Sequence, residues 1–321
     1  MSLRIAVCTP VARAGFERLL QEVEGVQVQW VAGADLPAAA ASAEALVLSA
    51  ADYTPALAAA LARDDCPCRW VQLLSAGYET LVVNGVPARV EVTNAGSVWS
   101  PIVAEHTLGL MLAVARRLPR VLQAQGRAAW DGTIRQEMGM LIDSHLVIVG
   151  MGSIGGELAR RARAFGMRIT GVSRSGRPHP DADEVLTVAR LHEALGRADF
   201  VACAVPGSPA TDKLIGEREL AACPPCAVLV NVGRGSVVDT EALVRALQSG
   251  ALAGAALDVT EPEPLPAGHP LWSLPNAVVS PHLGGAAPDR YYERLARHVA
   301  ANVRARAAGQ PLNDRVDPRT A

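Results

Sequence analysis

Three polar residues in the second half of the chain carry complementary chemistry. Arg234 stands in Asn231-Val232-Gly233-Arg234-Gly235-Ser236, Glu263 in Asp258-Val259-Thr260-Glu261-Pro262-Glu263-Pro264, and His282 in Ser280-Pro281-His282-Leu283-Gly284-Gly285. Each follows a short apolar run. Arginine offers a carboxylate two parallel donors from a planar fork and stays charged at any working pH. Histidine, with an unperturbed pKa near 6.5, suits proton transfer, and a neighbouring carboxylate fixes which ring nitrogen carries the proton. Reduction of a 2-keto acid needs a cation on the carboxylate, a proton for the carbonyl oxygen and a hydride, the last being cofactor chemistry. Taken singly, each residue also has a plainer reading: a surface or interface charge for Arg234, a solvated loop acid for Glu263, a turn residue for His282.

A second motif says where a hydride donor would lie. Residues 146–156 read LVIVGMGSIGG, an apolar run ending in glycines at 150, 152 and 155 and opening onto a helical stretch at 157–165. Strand, Gly-x-Gly-x-x-Gly, helix is the dinucleotide-binding turn: Gly150 turns tightly, Gly152 lets backbone approach a pyrophosphate, and Gly155 lets helix pack on strand. The positive end of that helix then faces the phosphates. In a chain with 28 glycines the bare pattern also fits an ordinary tight turn, so its context decides.

The elements supply that context. Residues 4–8, 26–31, 45–48, 70–74 and 90–93 read as strands alternating with Ala-rich helices. Asn94 to Pro101 breaks the rhythm, and Ser100 with Pro101 caps and starts a long helix over 102–117. After a polar stretch at 130–137, strands are expected at 145–149, 168–172, 200–204, 228–232, 254–258 and 277–280. Six strands separated by helices describe a doubly wound parallel sheet. A closing helix over 289–306 has Leu295, Val299 and Val303 on one stripe and is expected to return to the first domain. The fold class is therefore α/β, with two Rossmann-like or flavodoxin-like domains: a dinucleotide-binding domain at 99–285 inserted into a discontinuous substrate-binding domain at 1–98 and 286–321. In such sheets ligands gather at the carboxyl ends of the strands, where Arg234, Glu263 and His282 fall.

Composition narrows the function classes. A chain of 321 residues suits two domains, and half of its residues are apolar, which fits helices packed on Val-rich parallel strands. A net charge of -2 gives no basic field for nucleic acid or acidic lipid. Neither a membrane-length apolar run nor a signal peptide is legible, so a cytoplasmic protein is expected. Of six cysteines, only Cys66 with Cys68 and Cys223 with Cys226 are close in sequence, without histidines at zinc-site spacing. Reduced structural thiols and no metal are expected.

With these motifs in place, the chain resembles the D-isomer-specific 2-hydroxyacid dehydrogenase family. The resemblance runs through Ser75-Ala76-Gly77-Tyr78, VAEHTLGLML at 103–112, the glycine turn, Asn231 to Gly235, Ala256 to Pro264 and Ser280 to Gly285. It implies that Arg234 orients substrate, His282 is the acid/base, Glu263 pairs with it, and Asp258 holds the nicotinamide amide. Ala76 and Gly77 would receive the substrate carboxylate on backbone N–H groups, and closure of the two domains would assemble the site. The cofactor is expected against Gly150, Gly152, Ser153, Ile154, Gly155, Ser173, Arg174, Ser175, Val205, Pro206, Thr211, Val232, Gly233, Asp258, His282 and Gly284. A homodimer is implied, with the segment near 100–130 reaching to the partner.

One departure bears on the cofactor. Many NAD-using members end the second strand with an acid that bonds the ribose hydroxyls, whereas this chain has Ser173-Arg174-Ser175. Without that carboxylate a 2'-phosphate is not repelled, and Arg174, with Arg177, could clamp it. NADP(H) is expected to be preferred, with NAD(H) the alternative; Arg174 could instead stack on adenine or lie in solvent. The Ser-Arg-Ser stretch is similar to that of glyoxylate and hydroxypyruvate reductases. Two alternatives stand beside a reductase of small 2-keto acids: a dinucleotide-sensing protein like the family's corepressors, and a phosphite-type dehydrogenase, which would keep the same three residues. The substrate itself is not legible, nor is whether Tyr53, Tyr78, Trp99, Trp130 or Trp272 lines its pocket.

Overall fold

The computed structural model describes residues 2–9 and 11–319; Met1, Thr320 and Ala321, the outer ends of the expected first domain, and Pro10 lie outside the described residues. The chain forms two compact units, Met1–Trp99 with Ala287–Ala321, and Ser100–Ala286. In the first, strands β1 (Leu3–Val7), β2 (Val26–Trp30), β3 (Ala45–Leu48), β4 (Trp70–Leu73) and β5 (Glu91–Thr93) are parallel neighbours in the order β5-β4-β3-β1-β2. The inner strands read ALVL and WVQL and are buried on both faces. Edge strand β2, VQVQW, alternates apolar and polar residues because one of its faces meets solvent. The helix Asp289–Ala307 packs on the helix Arg13–Gln21 of the same unit, and its expected stripe of Leu295, Val299 and Val303 is fully buried. Each such side chain contributes roughly 1.5–3 kcal/mol over leaving it exposed.

The second unit holds β6 (His145–Val149), β7 (Arg168–Ser173), β8 (Glu184–Thr187), β9 (Phe200–Cys203), β10 (Val228–Asn231), β11 (Gly254–Leu257) and β12 (Ala277–Val279), in the order β12-β11-β10-β9-β6-β7-β8. All pairings are parallel, so every carboxyl end lies on one edge. The helix Ser100–Ala115 packs on β10, β11 and β12 and on the helix Ser153–Ala164.

Four features depart from expectation. The second sheet has seven strands, not six: β8 is a short edge strand pairing only with β7. The first sheet is not wholly parallel, because Arg315–Val316 (β13) adds an antiparallel edge to β5. The helix expected over 102–117 starts at Ser100 and stops at Ala115, where Arg117 turns left-handed (φ +51°) and a separate helix, Leu118–Gly126, begins with Pro119 in its first turn, the place a missing N–H is tolerated. The polar stretch folds into a short 3-10 turn, Gly132–Glu137. Among the described residues no helix is long and apolar enough to cross a membrane, and all six cysteines are free thiols.

Candidate active site

The second sheet changes winding direction between β6 and β9, which are neighbours although two strands separate them in sequence. At that switch the glycine turn leaves β6. Gly150 has φ +109°, and a Cβ there would stand 2.7 Å from the Ala204 carbonyl oxygen at the end of β9. A Cβ on Gly155 would be 1.9 Å from the Gly150 carbonyl oxygen, so the helix can sit on the turn only without one. At Gly152 a Cβ would meet nothing within 4 Å, so the protein itself does not require glycine there. Its bare backbone faces open space beside the first turn of Ser153–Ala164. In that turn the N–H groups, including those of Ser153, Ile154 and Gly155, lack carbonyls of their own helix.

The loop after β7 holds Arg174 and Arg177, both exposed, with guanidinium groups that bond to no described residue. Several arginines of this unit, by contrast, are ion-paired: Arg163 with Asp183, Arg190 with Glu193 and Arg197 with Glu184. The hydroxyl of Ser173 accepts from Gly176 N (3.1 Å) and that of Ser175 from Arg177 N (3.4 Å), folding the loop tightly. Val205 and Pro206 follow β9, with Thr211 Oγ1 donating to the Pro206 carbonyl at 2.7 Å. Val232 and Gly233 follow β10, and Gly233 lies so near Val205 that a Cβ would be 2.5 Å from its carbonyl oxygen.

Arg234 is set by Asn231, a residue the sequence reading left unassigned. The Asn231 amide donates to the Arg234 carbonyl (2.8 Å) and accepts from Gly233 N (3.1 Å), closing the turn on itself. The Arg234 guanidinium donates to the Gly233 carbonyl at 2.7 Å, and its stem lies against Gly207.

His282 Nδ1 and Glu263 Oε1 are 2.7 Å apart, both half-exposed. In water such a pair adds little stability, but it orients the ring and leaves Nε2 bonded to no described residue. The His282 backbone is left-handed (φ +54°), and its N–H donates to the Asp258 carbonyl at 2.8 Å. The side chain of Asp258, at 3% exposure, holds the rest of the loop. Its Oδ1 accepts from Ser280 Oγ (2.7 Å) and Leu283 N (2.8 Å) and lies 3.1 Å from His106 Nε2, while Oδ2 accepts from Gly284 N (2.9 Å). Burial pushes this carboxyl up, but the hydrogen bonds from His106, Ser280, Gly284 and Leu283 outweigh it and hold it down at about 2. Three of these donors crowd Oδ1 and only one reaches Oδ2, so Oδ2 keeps a lone-pair direction for a further donor. His106, also unassigned from sequence, comes from an almost uniformly apolar helix; a lone histidine in VAEHTLGLML was the available signal.

In the first unit, the loop after β4 presents Ala76 and Gly77. Its carbonyls are occupied: Ser75 O by Ala95 N (3.0 Å), Ala76 O by Asn94 Nδ2 (2.6 Å) and Gly77 O by Ser75 Oγ (2.9 Å). The N–H groups of Ala76 and Gly77 donate to no described residue, as an anion-receiving turn requires. Of the five aromatics, Tyr53 is buried with its hydroxyl on Gly85 O, Tyr78 packs at the edge of the same core, and Trp99 stacks on Tyr291. Trp272 bonds Pro266 O, and Trp130 is wholly exposed.

The geometry defines a doubly wound dinucleotide-type unit with an arginine and a histidine–carboxylate pair at its strand ends. The family model for the D-isomer specific 2-hydroxyacid dehydrogenase, NAD binding domain, matches residues 108–284. A glyoxylate reductase of Thermococcus gammatolerans is 38% identical over 249 residues, 74% of each chain. A D-isomer specific 2-hydroxyacid dehydrogenase family protein of Aeromonas salmonicida superposes with a TM-score of 0.87 at 30% identity, covering 99% of this chain and 100% of that one. An NADPH-dependent glyoxylate/hydroxypyruvate reductase of Sinorhizobium meliloti, solved with NADP and malonate, gives a TM-score of 0.79 at 28% identity over 99% and 98% of the two chains. The chain belongs to the D-isomer specific 2-hydroxyacid dehydrogenase family.

Proposed function

We propose that this protein is an NADP(H)-dependent reductase of small 2-keto acids of the glyoxylate or hydroxypyruvate kind, forming the D-hydroxy acid. The observation that carries the reading is the set of Arg234 and the Glu263–His282 pair at strand ends beside a glycine turn whose residues fit a dinucleotide. The fit is physical: at Gly152 a backbone free of Cβ adjoins unpartnered helix N–H groups, and the acid expected of NAD users is replaced by Ser173, Arg174 and Ser175. Relatives at 38% and 35% identity include a glyoxylate reductase and a glyoxylate/hydroxypyruvate reductase, and the Sinorhizobium enzyme was solved with NADP.

NADP(H), when bound, supplies or accepts the hydride. In the first unit Ala76 and Gly77 offer N–H groups to the substrate carboxylate; in the second, Arg234 binds and polarises substrate with its fork of donors. Glu263 accepts from His282 Nδ1–H, which leaves Nε2 to carry the proton delivered to the carbonyl oxygen, or to take it from the hydroxyl in the reverse direction. Asp258 has one acceptor direction left for the nicotinamide amide.

The same proposal includes a cytoplasmic location and a homodimer. Leu122, Trp130, Met138, Met140 and Ile142 are exposed apolar side chains on 118–142, and Met138 and Met140 line a concavity of about 320 Å³ at the amino-terminal edge of the second sheet. A second copy would cover them. The function is tested by following NADPH and NADH oxidation against a panel of keto acids. Turnover of glyoxylate or hydroxypyruvate with higher kcat/KM for NADPH supports it; tight cofactor binding with no turnover of any keto acid overturns it.

A further inference from the structure

The loop that carries Arg174 and Arg177 does not run free into solvent after β7. It returns to the glycine helix, where His179 covers Gly156: a Cβ on Gly156 would stand 2.8 Å from His179 Nε2 and 3.3 Å from its Cε1. The ring is held from its other side. Nδ1 accepts from Asp181 N at 3.2 Å, and the His179 carbonyl accepts from Ala182 N at 3.1 Å. Because Nδ1 is an acceptor, the ring proton of the neutral side chain sits on Nε2. A fixed N–H donor is therefore presented at the first turn of Ser153–Ala164, on the same loop as two arginines that no described carboxylate neutralises.

We propose that His179 is a specificity-determining residue, donating from Nε2 to the 2'-phosphate of NADP(H) beside Arg174 and Arg177. This rests on the NADP(H) reading above and adds to it a third donor and a reason for glycine at 156. A dianionic phosphate has more acceptor directions than one guanidinium fills, and an oriented ring donor supplies another. Gly156 gives up helix propensity, since alanine is the better helix former by roughly 1 kcal/mol, and the space is what His179 occupies.

The test uses the intact protein and two fragments, adenosine 2',5'-bisphosphate and AMP, titrated by calorimetry, alongside the NADPH to NADH ratio of kcat/KM. His179→Ala and Gly156→Ala are each expected to lower the bisphosphate-to-AMP affinity ratio about tenfold, the value of one charge-assisted hydrogen bond. Gly156→Ala should do so with a melting temperature at or above that of the parent protein. His179→Gln, which restores a donor, should recover most of the ratio. If Arg174→Ala abolishes the ratio while His179→Ala and Gly156→Ala leave it unchanged, the role of His179 is overturned and the arginine reading stands. If Arg174→Ala also leaves it unchanged, the NADP(H) reading falls, and this inference with it.

Discussion

Asp258→Asn changes one atom in a buried carboxylate and should loosen the loop that carries His282. The wild-type carboxyl lies at about 2 in the folded protein against about 3.9 in an unfolded chain. The folded value is the lower one, so the stabilisation is complete above about pH 4 and disappears as pH falls through 2; it amounts to about 2–3 kcal/mol. Asparagine retains one acceptor oxygen. Placed at Oδ1 it keeps Ser280, Leu283 and His106, and its NH₂ then opposes Gly284 N, which loses its acceptor at 2.9 Å. An orphaned buried N–H costs about 1–3 kcal/mol. The expected result near pH 7 is a hundredfold faster hydrogen exchange of the peptide containing Leu283 and Gly284, with kcat lowered at least tenfold because His282 is no longer held. Wild-type exchange and wild-type kcat in the variant would mean that the Asp258 carboxylate does not hold the His282 loop.

Further outcomes follow from the same structure. Gly152→Ala should leave the melting temperature of the free protein within about 2 °C, because its Cβ meets no protein atom, yet raise the NADPH Kd at least tenfold. Gly155→Ala, whose Cβ would lie 1.9 Å from a carbonyl oxygen, should destabilise the free protein itself, read by urea unfolding. His145 is buried against Thr170 Oγ1, and burial, with Arg168 and Arg197, pushes its pKa below the usual histidine value. The unfolded chain therefore takes up the proton first. Stability should be full above about pH 6.5 and fall on acidification below it, and the fall should be smaller in His145→Gln, read as urea midpoints at pH 7.5 and 5.5. Trp130→Glu should shift the sedimentation coefficient of the proposed homodimer to that of a monomer; a parent protein that sediments as a monomer overturns the dimer, and a variant unchanged from a dimeric parent places the interface elsewhere.

Legibility in the sequence followed burial. Strands paired on both sides such as β6, β9, β10 and β11 are apolar at nearly every position and could be located to within a residue or two, as could the glycine turn that leaves β6. Two edge elements were lost: Glu184–Thr187 has only Leu186 buried, and Arg315–Val316 is two residues long, so neither shows a period. Strand-end residues were legible because parallel topology sends each of them to one edge. What supports them was not. Asn231 acts by closing a turn, His106 by reaching from a helix across 152 positions to Asp258, and His179 by packing on a glycine, and none of these relations has a local signature.

In the proposed reaction the imidazole of His282 moves the proton during keto-acid reduction. The most direct measurement is kcat for glyoxylate reduction by His282→Asn at saturating NADPH, with the NADPH Kd determined on the same sample. A fall of about 10²–10⁴-fold in kcat is expected, with Kd within about twofold of the parent. Full kcat in the variant would contradict it.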